Sequence, residues 1–159
     1  FQEFTKRTRR PPKDPVNVLL SLGYSLCADA LFTACEVVGL DPYCGFLHTD
    51  TYGRPSLALD LLEEFRSIIV DSVVLRVINK HIIKPSHFAY SDEGIEGIVL
   101  KNVGMKRFLG EFNRRLNTEI HHPIAGRSLS YRKCFEVQAR QVRKMIEGTQ
   151  TTYFPLLAR

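Results

Sequence analysis

The sequence predicts a mostly helical, all-α domain with at most one short β-hairpin. Several stretches repeat apolar residues at helical spacing, and residues that favour helix starts or ends bound each stretch. With 159 residues and a hydrophobic content of 44%, the chain is long enough to bury one core. We therefore expect a basic arm or linker over residues 1–14 and one helical domain over residues 15–159.

The first helix is expected to begin at Asp14 and Pro15 and to end at Gly39. An acidic N-cap before a proline favours a helix start, and glycine commonly follows the last helical residue. The long, mostly apolar run between them indicates a central, buried helix. Asn17 and Tyr24 lie on nearly the same face of this helix. They are either buried polar residues with internal partners or residues that line a functional site.

The second helical stretch is expected from about Ser56, with Ser56 as its N-cap, to about residue 80. Its polar face carries the carboxylates of Asp60, Glu63 and Glu64, and a Gly/Pro-rich loop before it contains His48. Carboxylate oxygens beside one imidazole nitrogen are suitable ligands for a hard divalent metal ion. The alternative is a solvated helix face next to an unrelated histidine.

The remaining elements are a hairpin, a loop and two helices. Gly94 and Gly97 favour a small hairpin, and residues 105–117 form a basic amphipathic pattern. The segment TEIHHPIAGR is expected to be a loop with both histidines at the surface. The last helix is expected over residues 130–147, with a basic stripe formed by Lys133, Arg140 and Lys144.

The net charge of +5 is unevenly distributed along the chain. Residues 1–14 carry five basic and two acidic residues, residues 15–100 carry five and eleven, and residues 101–159 carry twelve and four. An acidic centre between basic flanks suits a metal site that acts on a polyanion such as DNA, with the flanks holding phosphates.

The cysteines and the apolar runs indicate a cytosolic protein. The four cysteines have no CxxC spacing, which argues against a zinc site. Cys27 and Cys35 would lie ~12 Å apart along a helix, too far for a disulfide. We expect reduced thiols, no signal peptide and no membrane span.

Four segments in this order resemble a known family: RRPPKDPVNVLLSLGYSL, GLDPYCGFLHTD, GRPSLALDLLEEFRS and YRKCFEVQARQVRKMI. Together they are similar to the CRISPR-associated adaptation endonuclease and integrase, Cas one, over nearly the whole chain. The resemblance implies the α-helical C-terminal catalytic domain of that family. A smaller β-rich domain that mediates homodimerisation precedes this region in the family, and we expect that it is absent here.

The resemblance also implies a site for Mg²⁺ or Mn²⁺. Its ligands would be His48 and Glu63, with Asp60 as a supporting acid, together with a glutamate from a Gly-x-Glu-Gly-like segment upstream of the RRPP motif. We expect that this chain starts after that glutamate and is inactive or weakly active alone. Glu96 lies in a similar GIEG context, but it follows the histidine and is interpreted as a coincidence.

The implied reaction is insertion of short DNA fragments, or spacers, into the CRISPR repeat array by attack of a 3′-hydroxyl on a phosphodiester. The implied partners are prespacer DNA, the repeat and the companion protein Cas two, in the cytoplasm of a prokaryote. A non-catalytic helical DNA-binding or scaffold module is the alternative. The residues expected to contact DNA are Arg9, Arg10, Lys13, Asn17, Tyr24, Arg54, Lys133, Arg140 and Lys144.

Overall fold

A computed structural model describes residues 6–8, 12–49, 51–90 and 97–157. It confirms a mostly helical chain with two small antiparallel sheets. The elements are α1 (Pro15–Val37), α2 (Ser56–Phe65), a π-helical turn (Arg66–Asp71), α3 (Ser72–Asn79), a 3₁₀ turn (Pro85–His87), β1 (Phe88–Tyr90), β2 (Ile98–Leu100), α4 (Asn102–Leu116), β3 (Glu119–His122), β4 (Arg127–Ser130) and α5 (Tyr131–Ile146).

Helix α1 is the central element, as its sequence predicts. The Asp14 side chain caps it by accepting from the Asn17 amide at 2.9 Å, and Gly39 follows its end with φ +77°. By length and composition alone α1 could cross a membrane, because one 18-residue window has a mean hydropathy of 1.6. By this measure one segment is long and apolar enough to span a membrane, where the sequence was expected to contain none. Helices α2 and α5 pack against α1, which accounts for its apolar character.

A wide π-helical turn joins α2 and α3 and lies against α1. Ile68, Ile69 and Val70 are all buried within this turn. A Cβ placed on Gly23 of α1 would lie only 2.6 Å from Val70 Cγ1, so the Val70 side chain occupies the space that a side chain at position 23 would need. The Ile68 carbonyl accepts hydrogen bonds from Arg115 Nε and Nη2 at 3.0 and 2.7 Å. This contact fixes the turn to α4.

The start of α2 differs slightly from the prediction. Pro55 occupies the N-cap position, and Ser56 is the first helical residue. Ser56 is fully buried, and its hydroxyl lies 3.4 Å from the Thr49 carbonyl. The serine therefore ties the preceding loop to the helix start instead of capping the helix.

Two hairpins are present, so the prediction of at most one is wrong. Strands β1 and β2 form the predicted hairpin, and β3 pairs with β4 in the segment that was expected to be a loop. Strand β3 has no apolar alternation, because its most buried residue is His122. His122 Nδ1 accepts from the amides of Ile124 and Ala125 at 3.3 Å each. This histidine thus closes the hairpin turn, and its predicted surface position is wrong.

All four cysteines are free thiols, as the sequence predicts. Cys27, Cys35 and Cys134 are buried, and Cys44 is exposed. Burial raises the pKa of the Cys27 thiol to about 12. The buried thiols are therefore apolar core residues and not reactive groups.

Candidate metal and DNA site

One carboxylate holds the loop over residues 45–49, here called the His48 loop, against α2. Asp60 Oδ2 accepts from the amides of Phe46 and Leu47 at 2.5 and 3.0 Å, and Oδ1 accepts from the His48 amide at 3.0 Å. The Asp60 side chain is only 7% exposed. A Cβ on Gly45 would lie 2.8 Å from Asp60 Oδ2, so glycine is required for this close approach.

The same carboxylate orients the His48 ring. His48 Nδ1 lies 2.6 Å from Asp60 Oδ1. Burial alone would raise the pKa of Asp60, but the hydrogen bonds from the loop amides and His48 outweigh it and hold the pKa below its usual value. Since an ionised carboxylate can only accept, Nδ1 is the donor of this hydrogen bond, and Nε2 is the ring nitrogen that Asp60 does not occupy. A carboxylate that fixes a histidine in this way is the usual support of a metal-binding imidazole.

Glu63 is exposed one turn further along α2, beside an arginine. Arg66 Nη1 is shared between the two oxygens of Glu63, at 2.9 and 2.8 Å. The Arg66 guanidinium lies over the Tyr24 ring, 4.8 Å from its centroid. Tyr24 in turn donates to Asp71 Oδ1 at 2.7 Å. Hydrogen bonding to Glu63 raises the pKa of Arg66.

Glu64 faces a different part of the molecule. It accepts from Gln138 Nε2 at 2.7 Å and also from the Tyr153 hydroxyl and the Leu156 amide. Burial and the adjacent Glu64 carboxylate raise the pKa of Tyr153. Three internal donors therefore bond to Glu64, which anchors the segment after α5 although it also lines the groove beside the His48 loop.

The three carboxylates of the predicted acidic face, Asp60, Glu63 and Glu64, therefore bond to different groups. Among the described residues, no group of three or more His, Cys, Asp or Glu side chains could hold a metal ion. The groups that remain are His48 Nε2 and the Glu63 carboxylate. Phe46, Leu47, Asp60, Glu63 and Glu64 are among the residues that line one groove of about 630 Å³, and Asp60 holds the His48 ring beside it. An imidazole and a carboxylate fit Mg²⁺ or Mn²⁺ as a partial ligand set. Glu96 lies outside the described residues.

The predicted DNA contacts at α1 are only partly compatible with the structure. Asn17 is 0% exposed; it donates to the Lys6 carbonyl at 2.9 Å and accepts from Arg7 Nη1 at 2.7 Å. Its predicted DNA contact is wrong, because internal partners satisfy its amide. Tyr24 is half-buried beside Arg66 and also contacts the Arg7 guanidinium at 5.6 Å. Sequence reasoning missed both arginines, although Arg66 follows Glu63 at helical spacing.

The other predicted DNA contacts lie at the surface or outside the described residues. Lys133, Arg140 and Lys144 are exposed on α5, where Glu136 pairs with Lys133 at 2.7 Å and Arg140 at 3.7 Å. The stripe therefore exists, although one acid partly neutralises it. Lys13 is exposed and Arg54 is half-buried, while Arg9 and Arg10 lie outside the described residues.

Comparisons with known proteins identify the family of the chain. The family model described as CRISPR associated protein Cas1 matches residues 2–114, a span that contains the His48 loop and α2. The CRISPR-associated endonuclease Cas1 3 of Thermus thermophilus is 46% identical over 156 residues, which cover 98% of this chain and 46% of that protein.

Two solved structures are similar in fold. A casposase bound to an integration product has a TM-score of 0.85 and 28% identity, covering 94% of this chain and 42% of that chain. A partial Cas6-RT-Cas1–Cas2 complex has a TM-score of 0.81 and 28% identity, covering 98% of this chain and 45% of that chain. This chain spans less than half of the length of each of these relatives. Because the family model matches well over half of its residues, the chain belongs to the family of CRISPR-associated Cas1 proteins.

Proposed function

We propose that this chain carries the catalytic site of a metal-dependent DNA endonuclease and integrase of CRISPR adaptation. The observation that supports the proposal most directly is the hydrogen-bonded Asp60–His48 pair, because Asp60 lines the same groove as Glu63. His48 and Glu63 would hold Mg²⁺ or Mn²⁺, and Asp60 would keep the imidazole oriented. Water, or residues outside the described ranges, would complete the ligand shell.

The proposed reaction is an in-line attack of a DNA 3′-hydroxyl on a phosphodiester of the CRISPR repeat. The divalent ion, when bound, supplies stabilisation of the charge that develops on the phosphate. This chain's residues supply the ligands and the position of the DNA. Lys133, Arg140 and Lys144 would contact phosphates, which positions DNA without reading its sequence.

The proposed partners follow from the relatives. The similar casposase is bound to an integration product, and another similar structure is a complex that contains Cas2. We therefore propose prespacer and repeat DNA as substrates, a Cas2-like protein as the companion, and the prokaryotic cytoplasm as the location. Homodimerisation through a β-rich domain is part of the same proposal.

The test is substitution of each proposed ligand in the full-length protein. His48→Ala and Glu63→Ala should abolish Mn²⁺ binding, measured by calorimetry, and joining of a labelled oligonucleotide, while circular dichroism stays unchanged. Glu36→Gln, an exposed acid at the end of α1, is the matched control and should change neither. Joining activity that survives either alanine substitution would remove that residue from the mechanism.

A non-catalytic DNA-binding or scaffold module is the second candidate. It is favoured by the division of the acidic face among internal partners, which leaves no three-residue metal cluster in the described ranges. This candidate requires DNA binding that is independent of divalent ions and unaffected by the alanine substitutions. The same calorimetry and binding assays therefore separate the two functions.

A further inference from the structure

Arg66 forms an ion pair with the proposed metal ligand Glu63. Its Nη1 contacts both Glu63 oxygens, and the pair is accessible, with side-chain exposures of 33% and 47%. A single nitrogen shared between two oxygens lacks the parallel two-nitrogen geometry of the strongest arginine–carboxylate pairs. Exposed ion pairs of this kind are weak, so a divalent ion can compete for the same carboxylate.

The second contact of Arg66 would keep it in place if Glu63 were released. Its guanidinium lies 4.8 Å from the Tyr24 centroid, and the Tyr24 hydroxyl is fixed by Asp71 at 2.7 Å. A guanidinium over an aromatic face remains attracted to the ring without a carboxylate partner. The cation would therefore stay beside the site after Glu63 turned to a metal ion.

The charges around Tyr24 indicate what would replace Glu63. The ring contacts two guanidinium groups, Arg66 at 4.8 Å and Arg7 at 5.6 Å. Arg7 is already bonded to Asn17 and Ser21 on α1, and Asp71 is bonded to Tyr24. Transfer of Glu63 to a metal ion leaves the Arg66 charge without its carboxylate. A phosphate oxygen suits a planar guanidinium, and a DNA substrate bound at the proposed metal site would bring phosphates close to Arg66.

We infer that Arg66 exchanges partners during the reaction cycle: it pairs with Glu63 before the metal binds and with a DNA phosphate afterwards. The inference rests on the proposed function, since it takes Glu63 as a metal ligand. Arg66 would thus weaken metal binding by the free protein and strengthen DNA binding by the metal-loaded protein. A purely structural residue would affect both in the same direction.

The test compares Arg66→Gln with Arg76→Gln. Arg76 is a matched control because it forms a similar exposed ion pair with Glu111, at 2.8 Å, on the neighbouring helix α3. Calorimetry with Mn²⁺ should show about two- to five-fold tighter binding for R66Q, the range expected for losing a competing surface ion pair, and no change for R76Q.

DNA binding is measured by fluorescence anisotropy with a labelled duplex oligonucleotide, and a gel checks that the duplex remains intact. With Mn²⁺, R66Q should bind DNA more weakly, with a log–log salt slope smaller by about one unit. Without metal, R66Q and the wild type should have the same slope. Arg66→Lys should retain the DNA contact, because it keeps the charge, and should not bind Mn²⁺ more weakly than the wild type.

Two results would overturn the inference. Weaker Mn²⁺ binding by R66Q would show that Arg66 supports the site structurally, and an unchanged salt slope with Mn²⁺ would show that it has no phosphate contact. Failure of the proposed function has a different signature. If Glu63→Gln leaves Mn²⁺ binding intact, then Glu63 is not a ligand, whatever R66Q does.

Discussion

The substitution Asp60→Asn tests whether one carboxylate organises the His48 loop. Asp60 accepts from three loop amides and from His48 Nδ1. Asparagine is nearly the same size, but its amide nitrogen cannot accept, so part of these hydrogen bonds must be lost. Hydrogen bonds to a charged group contribute about 1.5–3 kcal/mol each. Water can solvate the exposed loop amides and offset part of this. We therefore expect the free energy of unfolding to fall by about 2–3 kcal/mol.

The assay is thermal unfolding followed by circular dichroism. For a domain of this size, 1 kcal/mol corresponds to roughly 2–4 °C, so the midpoint should fall by about 4–12 °C at neutral pH. Mn²⁺ affinity should also fall by about 10- to 100-fold, because the imidazole loses its support. The matched control is Asp29→Asn, an exposed carboxylate of α1, whose effect should remain within about 0.5 kcal/mol.

The pH dependence gives a second measurement of the same carboxylate. The pKa of Asp60 is lowered in the folded protein, so its stabilisation is complete above the pKa of the unfolded chain. It is lost as the pH falls through the folded pKa. The difference in unfolding midpoint between the wild type and D60N should therefore become smaller below about pH 4. Equal midpoints at neutral pH, or a difference that persists unchanged into acid, would refute this account of the loop.

Two other substitutions test the loop geometry and the basic stripe. Gly45→Ala would place a Cβ 2.6 Å from Ser56 Cβ and should lower the free energy of unfolding by about 1–3 kcal/mol, measured by denaturant unfolding. The control Gly110→Ala lies in open space on α4 and should raise the free energy of unfolding by about 0.5–1 kcal/mol. Equal effects of the two substitutions would contradict the close approach at Gly45. The triple variant Lys133→Ala, Arg140→Ala and Lys144→Ala should flatten the salt dependence of DNA binding by about one unit per lost contact, and an unchanged slope would make the stripe a solvated face.

Local sequence signals predicted the helices well. The Asp14 cap and Gly39 bound α1, and Ser130 caps α5 by accepting from the Lys133 amide. These signals depend on residues within a few positions of each helix end, so a single sequence is enough to recognise them. The second hairpin was missed because its inward position is His122, which breaks the apolar alternation that predicts strands.

The candidate site was predictable in its residues but not in its contacts. The closeness of His48 and Asp60 was expected from the resemblance, and the structure places them 2.6 Å apart. The residues alone did not show which of the two adjacent glutamates is bonded to internal donors, since both line the groove. Glu64 is bonded to Tyr153 and Leu156, about ninety residues later in the chain. Such partners depend on tertiary packing, which a local helical pattern does not encode.

The wide turn between α2 and α3 has an evolutionary consequence. A π-helical turn holds an additional residue without breaking the helix, so the turn at Arg66–Asp71 behaves as an insertion that the core has accommodated. Val70 reaches α1 only because Gly23 has no side chain. A lineage that lost the additional residue would no longer need glycine at position 23, and one that acquired a larger residue at position 23 would have to move Val70 or change the turn. The wide turn and the glycine at position 23 should therefore be inherited together.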